Sequence, residues 1–600
     1  MQALKTGNLS LLSCIVCMLV LGYTSLIYFP RSRQTGAEAV ISWDVSGYYW
    51  YLPSLFIYKD IRHQAFHDGI LEKYTPTFDF QQAFKTDNGN YVLKYSSGMA
   101  VMYLPFFTAA HLVAGACGYP RDGFSYPYQL AIQLGGLFMA LLGLWYLRKL
   151  LLIYFEDKVV AIVLALLVIG TNYLNYAAID TGMSHNWLFT LYVFLLLNTI
   201  KLHQTYSIKY AVRVGLLCGL ATLTRPTDAL SCIIPLLWGM ESLSPAAIKK
   251  QFMLLLAHLK PLLVAVVSAA MVVSVQFIYW KFASGHWVVY SYQDQHLYFR
   301  SPNLWNYNFS YRSGWLLYSP MLLFAFAGII TFIKKGQNKV AILSFFLLNF
   351  YIVCAWNIWW YGGRAMVQSY PLLLFPLASL VRFALQRKAL LYALMPVAGL
   401  FVYLNIWYTH QCHNGGLYDT ETMTGAYYWR TVGRWHAQPG LAVLKDRTEL
   451  YNGPELNPQL IGGNDFEQDT TLPSLFAPIS GSRSLELNDT TRYTIESRFA
   501  ARNGSANWLK AQADFLSSRQ ENNTWLMSQF ILRAYNHGTV VKENLIRLDR
   551  ILPANTPTNI TIYMDVAGLT YDSVGAGLWN GFNSRKLLVD NIKVYSFEGK

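Results

Sequence analysis

Between Leu11 and Tyr408 the chain is a succession of apolar runs, several of which reach the roughly 20 residues that carry an α-helix across a bilayer. With 54% of its 600 residues apolar and 13% charged, the chain reads as a polytopic α-helical membrane protein. Its formal charge of +14 sits in small clusters between the runs: Arg148-Lys149, Lys201 to Lys209, Lys249-Lys250, Lys334-Lys335 and Arg387-Lys388. Clusters so placed orient spans with their basic loops on the inner side, so the charge reports topology and nucleic acid is excluded as a partner. Keeping every cluster on that side gives about eleven crossings, near 11–29, 127–147, 159–176, 185–200, 211–224, 229–240, 261–281, 315–333, 339–356, 367–384 and 389–408, with the N-terminus inside. The first run lacks a small-residue cleavage site and ends on Tyr28-Phe-Pro30, an interfacial anchor, so it is expected to stay as a helix. A long outer loop follows, 30–98, and the apolar stretch Met99 to Ala116 is expected to re-enter or lie on the surface, since a crossing there would put Arg148-Lys149 outside.

Beyond Thr409 long apolar runs give way to Asn, Thr, Asp, Gly and Arg. Short alternating segments, Tyr493 to Phe499, Trp525 to Leu532, Asn559 to Tyr563 and Leu587 to Tyr595, separated by turn residues, predict an outer-face all-β sandwich. The expected domains are thus a membrane domain over 1–408, a connector over 409–462 and a sandwich over 463–600. The seven cysteines are scattered and draw neither a disulfide framework nor a metal cluster; Cys14 and Cys17 read as small apolar residues of a span.

Ionisable groups at membrane depth are costly, and usually face a cavity or a partner, so the outer-side polar residues are the candidates for function. They are Asp44 in Trp43-Asp-Val-Ser-Gly-Tyr-Tyr49; Asp180, Ser184 and His185 in one turn; Arg225 in Thr222-Leu-Thr-Arg-Pro-Thr-Asp228; Arg312 in Tyr311-Arg-Ser-Gly-Trp315; and Arg364 in Trp359-Trp-Tyr-Gly-Gly-Arg364. Structural readings stand beside these. Asp44 also suits the N-cap of a helix starting at Val45, and Arg225 before Pro226 also suits a snorkelling residue at a span end. Tyr290 to His296 fits either an acceptor groove or an aromatic belt.

At these residues the chain resembles the GT-C superfamily of membrane glycosyltransferases that use lipid-linked sugars, in particular the protein O-mannosyltransferase and aminoarabinose transferase branch, glycosyltransferase family 39. The resemblance covers roughly 1–408 and rests on Asp44 with Tyr48-Tyr49, on Lys94-Tyr-Ser-Ser-Gly98 with Leu104-Pro105, on Asp180, on Gly219 to Pro226 and on the Trp-Trp-Tyr-Gly-Gly-Arg loop. The first loop departs from the pattern in having a single Asp where many protein mannosyltransferases have an acidic pair.

The resemblance implies transfer of a sugar from a polyprenyl-phosphate donor to a hydroxyl of a glycan, lipid or protein acceptor at the outer face. Asp44 would be the general base, with inversion at the anomeric carbon. Arg225 and Arg364, then Arg312 and His185, would bind the donor phosphate; Asp180, Tyr48, Tyr49 and Tyr361 would contact the acceptor or orient an arginine. No Asp-x-Asp pair stands in an early outer loop, so no metal or other cofactor is expected and the lipid donor is read as a monophosphate.

The short loops point to a bacterial inner membrane with the C-terminal domain in the periplasm. Asn464-Asp-Phe-Glu467 and Leu588 to Phe597 resemble the opening and closing strands of carbohydrate-binding jelly rolls, with Trp508, Trp525 and Trp579 as core residues or stacking platforms. The alternative, a lipid-linked-sugar flippase or other transporter, predicts paired hydrophobic halves, and no such symmetry is read.

Overall fold

The computed structural model describes residues 8–356, 361–436, 438, 440–447, 449–468, 477–488, 496–501, 506–521, 524, 526–581 and 586–600. Trp359, Trp360, Trp525 and the part of one expected strand at 493–495 lie outside them. The chain forms two compact units, Met1–Asn414 and Gly415–Lys600.

The first unit is helical. Its principal helices are α1 (Leu9–Tyr23), α2 (Trp43–Tyr49), α3 (Gly98–Ala116), α4 (Tyr126–Leu151), α5 (Asp157–Gly170), α6 (Ser184–Thr205), α7 (Ile208–Thr224), α8 (Leu259–Ser284), α9 (Leu322–Lys335), α10 (Lys339–Ala355), α11 (Tyr370–Leu385) and α12 (Lys388–His410). Six helical stretches among the described residues are long and apolar enough to cross a membrane, which makes the protein a multi-pass membrane protein. Not every expected run forms a full-length span. The run near 229–240 becomes a 3-10 segment, Pro226–Cys232, joined to the short helix Ile233–Leu237, and the run near 315–333 is split into Trp315–Tyr318 and α9. At the second break Pro320 removes an amide donor where a continuous helix would need one.

The two ends of the bundle differ in chemistry. At one end the Asp157 carboxylate accepts from the backbone amides of Leu9 (3.0 Å) and Ser10 (3.3 Å), closing the start of α1, and Arg148 Nε donates to Ser10 Oγ (2.8 Å). Arg382 pairs with Glu156 (3.0 Å) beside it. At the other end Tyr28 Oη meets His410 Nδ1 (2.6 Å) and Arg31 pairs with Asp180. The basic clusters and the candidate residues therefore occupy opposite ends, as a positive-inside arrangement requires.

The segment from Met99 to Ala116 is one unbroken helix, α3, despite Pro105. Along it Phe106 packs on Gly135 and Phe138 of α4 and on Trp187 of α6, while other residues meet the segments that cap the second end. Gly98 abuts Thr224 at the end of α7, the Tyr103 hydroxyl donates to the Gly182 carbonyl, and Phe107 packs on Tyr49 and Phe56. In the turn that follows, Gly123 O accepts from Tyr49 Oη (2.5 Å) and Asp122 accepts from Lys73 Nζ (2.8 Å). α3 thus runs along the cap, and α4 descends from it to the Arg148 end.

The second unit is a β-sandwich. Its main strands are β1 (Leu456–Asn464), β2 (Ser497–Ala500), β3 (Trp508–Ser517), β4 (Gln529–Asn536), β5 (Thr539–Arg547), β6 (Thr558–Asp565), β7 (Ser573–Trp579) and β8 (Leu587–Glu598). They form two antiparallel sheets in the orders β1-β8-β3-β6 and β2-β7-β4-β5, with the short strand Leu485–Leu487 paired to β8. β3 alternates strictly between buried and half-buried positions, and its Phe515 meets Phe530 of β4 across the sandwich, ring centroids 5.3 Å apart. The opening strand lies earlier than expected, because Asn464 ends β1 and Asp465 to Gln468 turn away. Trp508 packs on Tyr451 (4.9 Å), Tyr451 in turn packs on Phe597 (5.0 Å), and Gly599 lies against the Trp508 ring, so Trp508 belongs to the packing. Residues of the expected connector clasp this unit: buried Asp446 holds Arg547 (2.7 Å) and Arg550 (3.0 Å), and Asp419 pairs with Arg550 (3.3 Å).

One close approach sets the position of the Asp180 to His185 turn. A Cβ at Gly136 of α4 would lie 2.1 Å from the Thr181 carbonyl oxygen, a backbone atom held by Trp187 Nε1 (2.9 Å). Gly136→Val is therefore expected to cost roughly 1–3 kcal/mol or more and to lower the melting temperature of the purified protein by several degrees. An unchanged melting temperature would show that the turn is free to shift.

Candidate functional site

Asp44 lies in the first turn of α2, with Ser42 at the N-cap, so the capping role open from the sequence is not the one it takes. The helix starts on Trp43, whose φ of 47° is rare for a bulky residue and is fixed by its amide donating to Pro76 O (3.2 Å). Both carboxylate oxygens are engaged: Oδ2 accepts from Arg364 Nη2 (2.7 Å) and Oδ1 from Tyr95 Oη (2.6 Å). Gly362 and Gly363, with φ of 59° and 63°, make the left-handed turn that delivers Arg364, and a Cβ on Gly363 would lie 2.5 Å from Trp315 Cβ. Side-chain exposures of 25% for Asp44 and 21% for Arg364 leave the pair open to a ligand. Burial alone would raise the Asp44 carboxyl, but Arg364, the Tyr95 hydroxyl and Lys94 outweigh it and hold Asp44 below its ordinary value, hence ionised at neutral pH.

Arg225 ends α7 and leads a second group. Its Nη1 lies 3.0 Å from His185 Nδ1 and 3.4 Å from Gln368 Oε1, and its Nε 4.0 Å from Asp228 Oδ2. The Gln368 amide donates to both Asp228 oxygens (3.1 Å each), and Tyr192 Oη donates to Asp228 Oδ1 (2.5 Å). Those bonds orient the Gln368 amide with Oε1 toward His185 Nδ1 (2.9 Å), the same ring nitrogen that Arg225 approaches. Arg225 is 28% exposed while Asp228 is 1%, so a buried carboxylate anchors a cation that faces outward. Anchoring on three residues is more than a snorkelling arginine needs.

The two groups share one neighbourhood. The Tyr48 hydroxyl is within electrostatic reach of Asp44, Arg225 and Arg364, and so is that of Tyr292. Tyr48 packs edge-on against Tyr95 (4.6 Å), and Tyr95 against Tyr292 (6.0 Å). Asp180 stands slightly apart, paired with Arg31 and receiving a hydrogen bond from Asn175 Nδ2 (2.9 Å). Tyr176 lies within electrostatic reach of Arg364, Arg31 and Asp44. Tyr361, adjacent to the double-glycine turn, is buried and accepts from Tyr176 Oη at its carbonyl (2.8 Å).

Two candidates take other positions. Tyr49 is fully buried, its hydroxyl spent on Gly123 and its ring among Tyr103, Phe107 and Phe124, so it is a core residue of the cap and cannot touch an acceptor. Arg312 is exposed in the turn between Leu304–Phe309 and Trp315–Tyr318, unlike the half-buried Arg225 and Arg364. Sequence reasoning missed Arg31, Tyr95, Tyr192 and Gln368, and gave Asp228 no role. Gln368 carried a usable signal, an amide inside an apolar run where an unpartnered polar group would be costly. Among the described residues no three His, Cys, Asp or Glu side chains are grouped to hold a metal ion.

The Asp44–Arg364 pair is half-buried, between the exposed pairs that contribute almost nothing and the buried ones whose disruption is severe. A thermal-stability cycle over Asp44→Asn, Arg364→Gln and the double variant should return a coupling on the order of 1 kcal/mol. Simple additivity would mean that the two side chains do not meet.

No protein-family model matches the chain, and no curated protein does. Solved structures similar to it include the oligosaccharyltransferase AglB of Archaeoglobus fulgidus in complex with an inhibitory peptide and a dolichol-phosphate, with a TM-score of 0.38 and 13% identity over 67% of this chain and 54% of that one. The apo form of the Archaeoglobus fulgidus oligosaccharyltransferase gives the same values. The arabinosyltransferase EmbB of Mycobacterium smegmatis matches at a TM-score of 0.34 and 12% identity, over 78% of this chain and 57% of that one. The chain thus spans little more than half the length of each, and similarity this low decides neither fold nor chemistry.

Proposed function

We propose that the protein is a GT-C-type glycosyltransferase that moves a sugar from a polyprenyl-phosphate donor to an acceptor hydroxyl, with Asp44 as general base, inversion at the anomeric carbon and no metal ion. The observation that carries this reading is the gathering of one ionised carboxylate and two half-exposed arginines around Tyr48, at the end of the bundle opposite the basic clusters. In the proposed reaction the acceptor O–H gives its proton to Asp44 as its oxygen bonds to the anomeric carbon, and the sugar–phosphate bond breaks with its electron pair leaving on the phosphate. Arg225 and Arg364 take the charge that grows on that phosphate. Two preorganised guanidinium groups in a water-poor groove suit that task.

Both Asp44 oxygens already accept a hydrogen bond, yet a carboxylate offers about four lone-pair sites, so an acceptor hydroxyl still finds one. A donor phosphate that draws Arg364 toward itself would at the same time release Asp44 Oδ2 and make it a stronger base. Donor binding would thus come before base activation. On this reading the site faces the periplasm of a bacterial inner membrane.

The direct test is release and transfer of radiolabelled sugar from polyprenyl-phosphate donors by purified protein, in chelator, with a periplasmic or outer-membrane extract as acceptor. Asp44→Asn should lower kcat by about 10²- to 10⁴-fold with the donor still bound. Transfer that survives this substitution removes Asp44 from the chemistry, and transfer lost in chelator removes the metal-free mechanism.

The pH dependence follows from the lowered Asp44 carboxyl, whose acid limb in kcat/KM should fall below the ordinary Asp value of about 3.9. Tyr95→Phe deletes a hydrogen bond to the charged form, so the carboxyl rises and the limb moves to higher pH. A limb that stays in place would mean that the proton acceptor is another group.

A further inference from the structure

A cavity of about 220 Å³ lies at the basic end of the bundle, away from Asp44, between the end of α6, the helices α7 and α8, the short helix Ile233–Leu237 and the end of Pro245–Ala257. Its wall is apolar, formed by Leu202, Val214, Cys218, Leu262 and Val266, with Gly215 letting α7 approach α8 so closely that a Cβ there would lie 2.2 Å from Ala265 O. At 220 Å³ it is smaller than the roughly 300–1,000 Å³ of small-molecule pockets, and its lining offers little to a sugar or nucleotide. It has the capacity and chemistry for the end of a hydrocarbon chain.

Three aromatic side chains at this cavity are polar at their edges. The His258 and Tyr206 rings stack at 3.5 Å, and His203 Nε2 lies 2.8 Å from Pro235 O. The elements that meet here carry Lys201, Lys209, Arg213, Lys249, Lys250 and Lys260, all exposed, against Glu241 alone. The helix Pro245–Ala257, capped by Ser244, adds an independent observation: Ile248, Phe252, Met253 and Leu256 are all exposed, at i, i+4, i+5 and i+8. Exposed apolar residues with lysines beside them suit a helix at the membrane boundary.

We propose that this is a binding site for an anionic glycerophospholipid of the leaflet at the basic end, with one acyl chain in the cavity and its phosphate headgroup among the lysines around the mouth. The apolar wall fixes the ligand as a lipid and excludes free phosphate, while the charge selects an anionic headgroup over a zwitterionic one. Basic clusters alone would only orient the spans; the cavity and the exposed apolar residues are what orientation does not require.

The test is native mass spectrometry of the purified full chain in a neutral detergent, titrated with phosphatidylglycerol or with phosphatidylcholine of the same acyl chains. The expected result is one phosphatidylglycerol retained at a concentration about tenfold lower than phosphatidylcholine, a preference cut to about twofold in Lys249→Gln/Lys250→Gln/Lys260→Gln. Val266→Trp, which fills the cavity from a residue 57% exposed, should weaken both lipids together. Equal retention of the two lipids by the wild-type protein, or retention unaffected by both variants, overturns the proposal. Because lipid retention is read without any sugar transfer, its outcome is independent of the activity proposed for the Asp44 site.

Discussion

The Asp44–Arg364 ion pair is the constraint around which the rest of the site is arranged. A lone carboxylate or guanidinium at the edge of a bilayer would be neutralised, hydrated or pulled to the interface. Paired at 2.7 Å, with Tyr95 on the remaining oxygen, the two charges persist half-buried. Maintaining the pair requires three separate stretches of chain to meet: α2 after the first span, the segment before α3 that carries Tyr95, and the double-glycine turn before α11.

The cap helices answer that requirement. α3 is apolar enough to cross a membrane, yet its contacts at Gly98, Tyr103 and Phe107 tie it to the ends of other helices and to the residues after Asp44. Packing, not hydropathy, decides its course. The second cation follows the same logic from the opposite direction: buried Asp228, fixed by Tyr192 and Gln368, neutralises part of Arg225 from within and leaves its side chain 28% exposed.

Much of this was legible in the chain, and the limits have physical causes. Hydrophobic runs and basic clusters predicted a multi-pass helical protein with its candidate residues at one end, because desolvation and the positive-inside bias act on local sequence. Asp44, Arg225 and Arg364 stood out because charges near apolar runs are rare. Tyr95 did not, since a tyrosine costs little in a loop and reveals its role only through a partner more than 50 residues away in the chain, Asp44; Gln368 carried the signal of an amide in an apolar run, but its partner Asp228 lies 140 residues away. Tyr49 was mistaken for a groove residue because aromatic pairs look alike in sequence whether they face a ligand or a core. Strand positions in the sandwich were found where alternation is strong; the pairing order depends on contacts between strands distant in sequence and had to come from the fold.

The central claim is that Arg225 and Arg364 receive a lipid phosphate beside Asp44. It is tested most directly by an experimental density map of the protein with a polyprenyl monophosphate bound. The account predicts phosphate density within hydrogen-bond distance of both arginines, with Arg364 turned away from Asp44 Oδ2. A phosphate bound elsewhere on the bundle, or one at the groove that touches neither arginine, would contradict it.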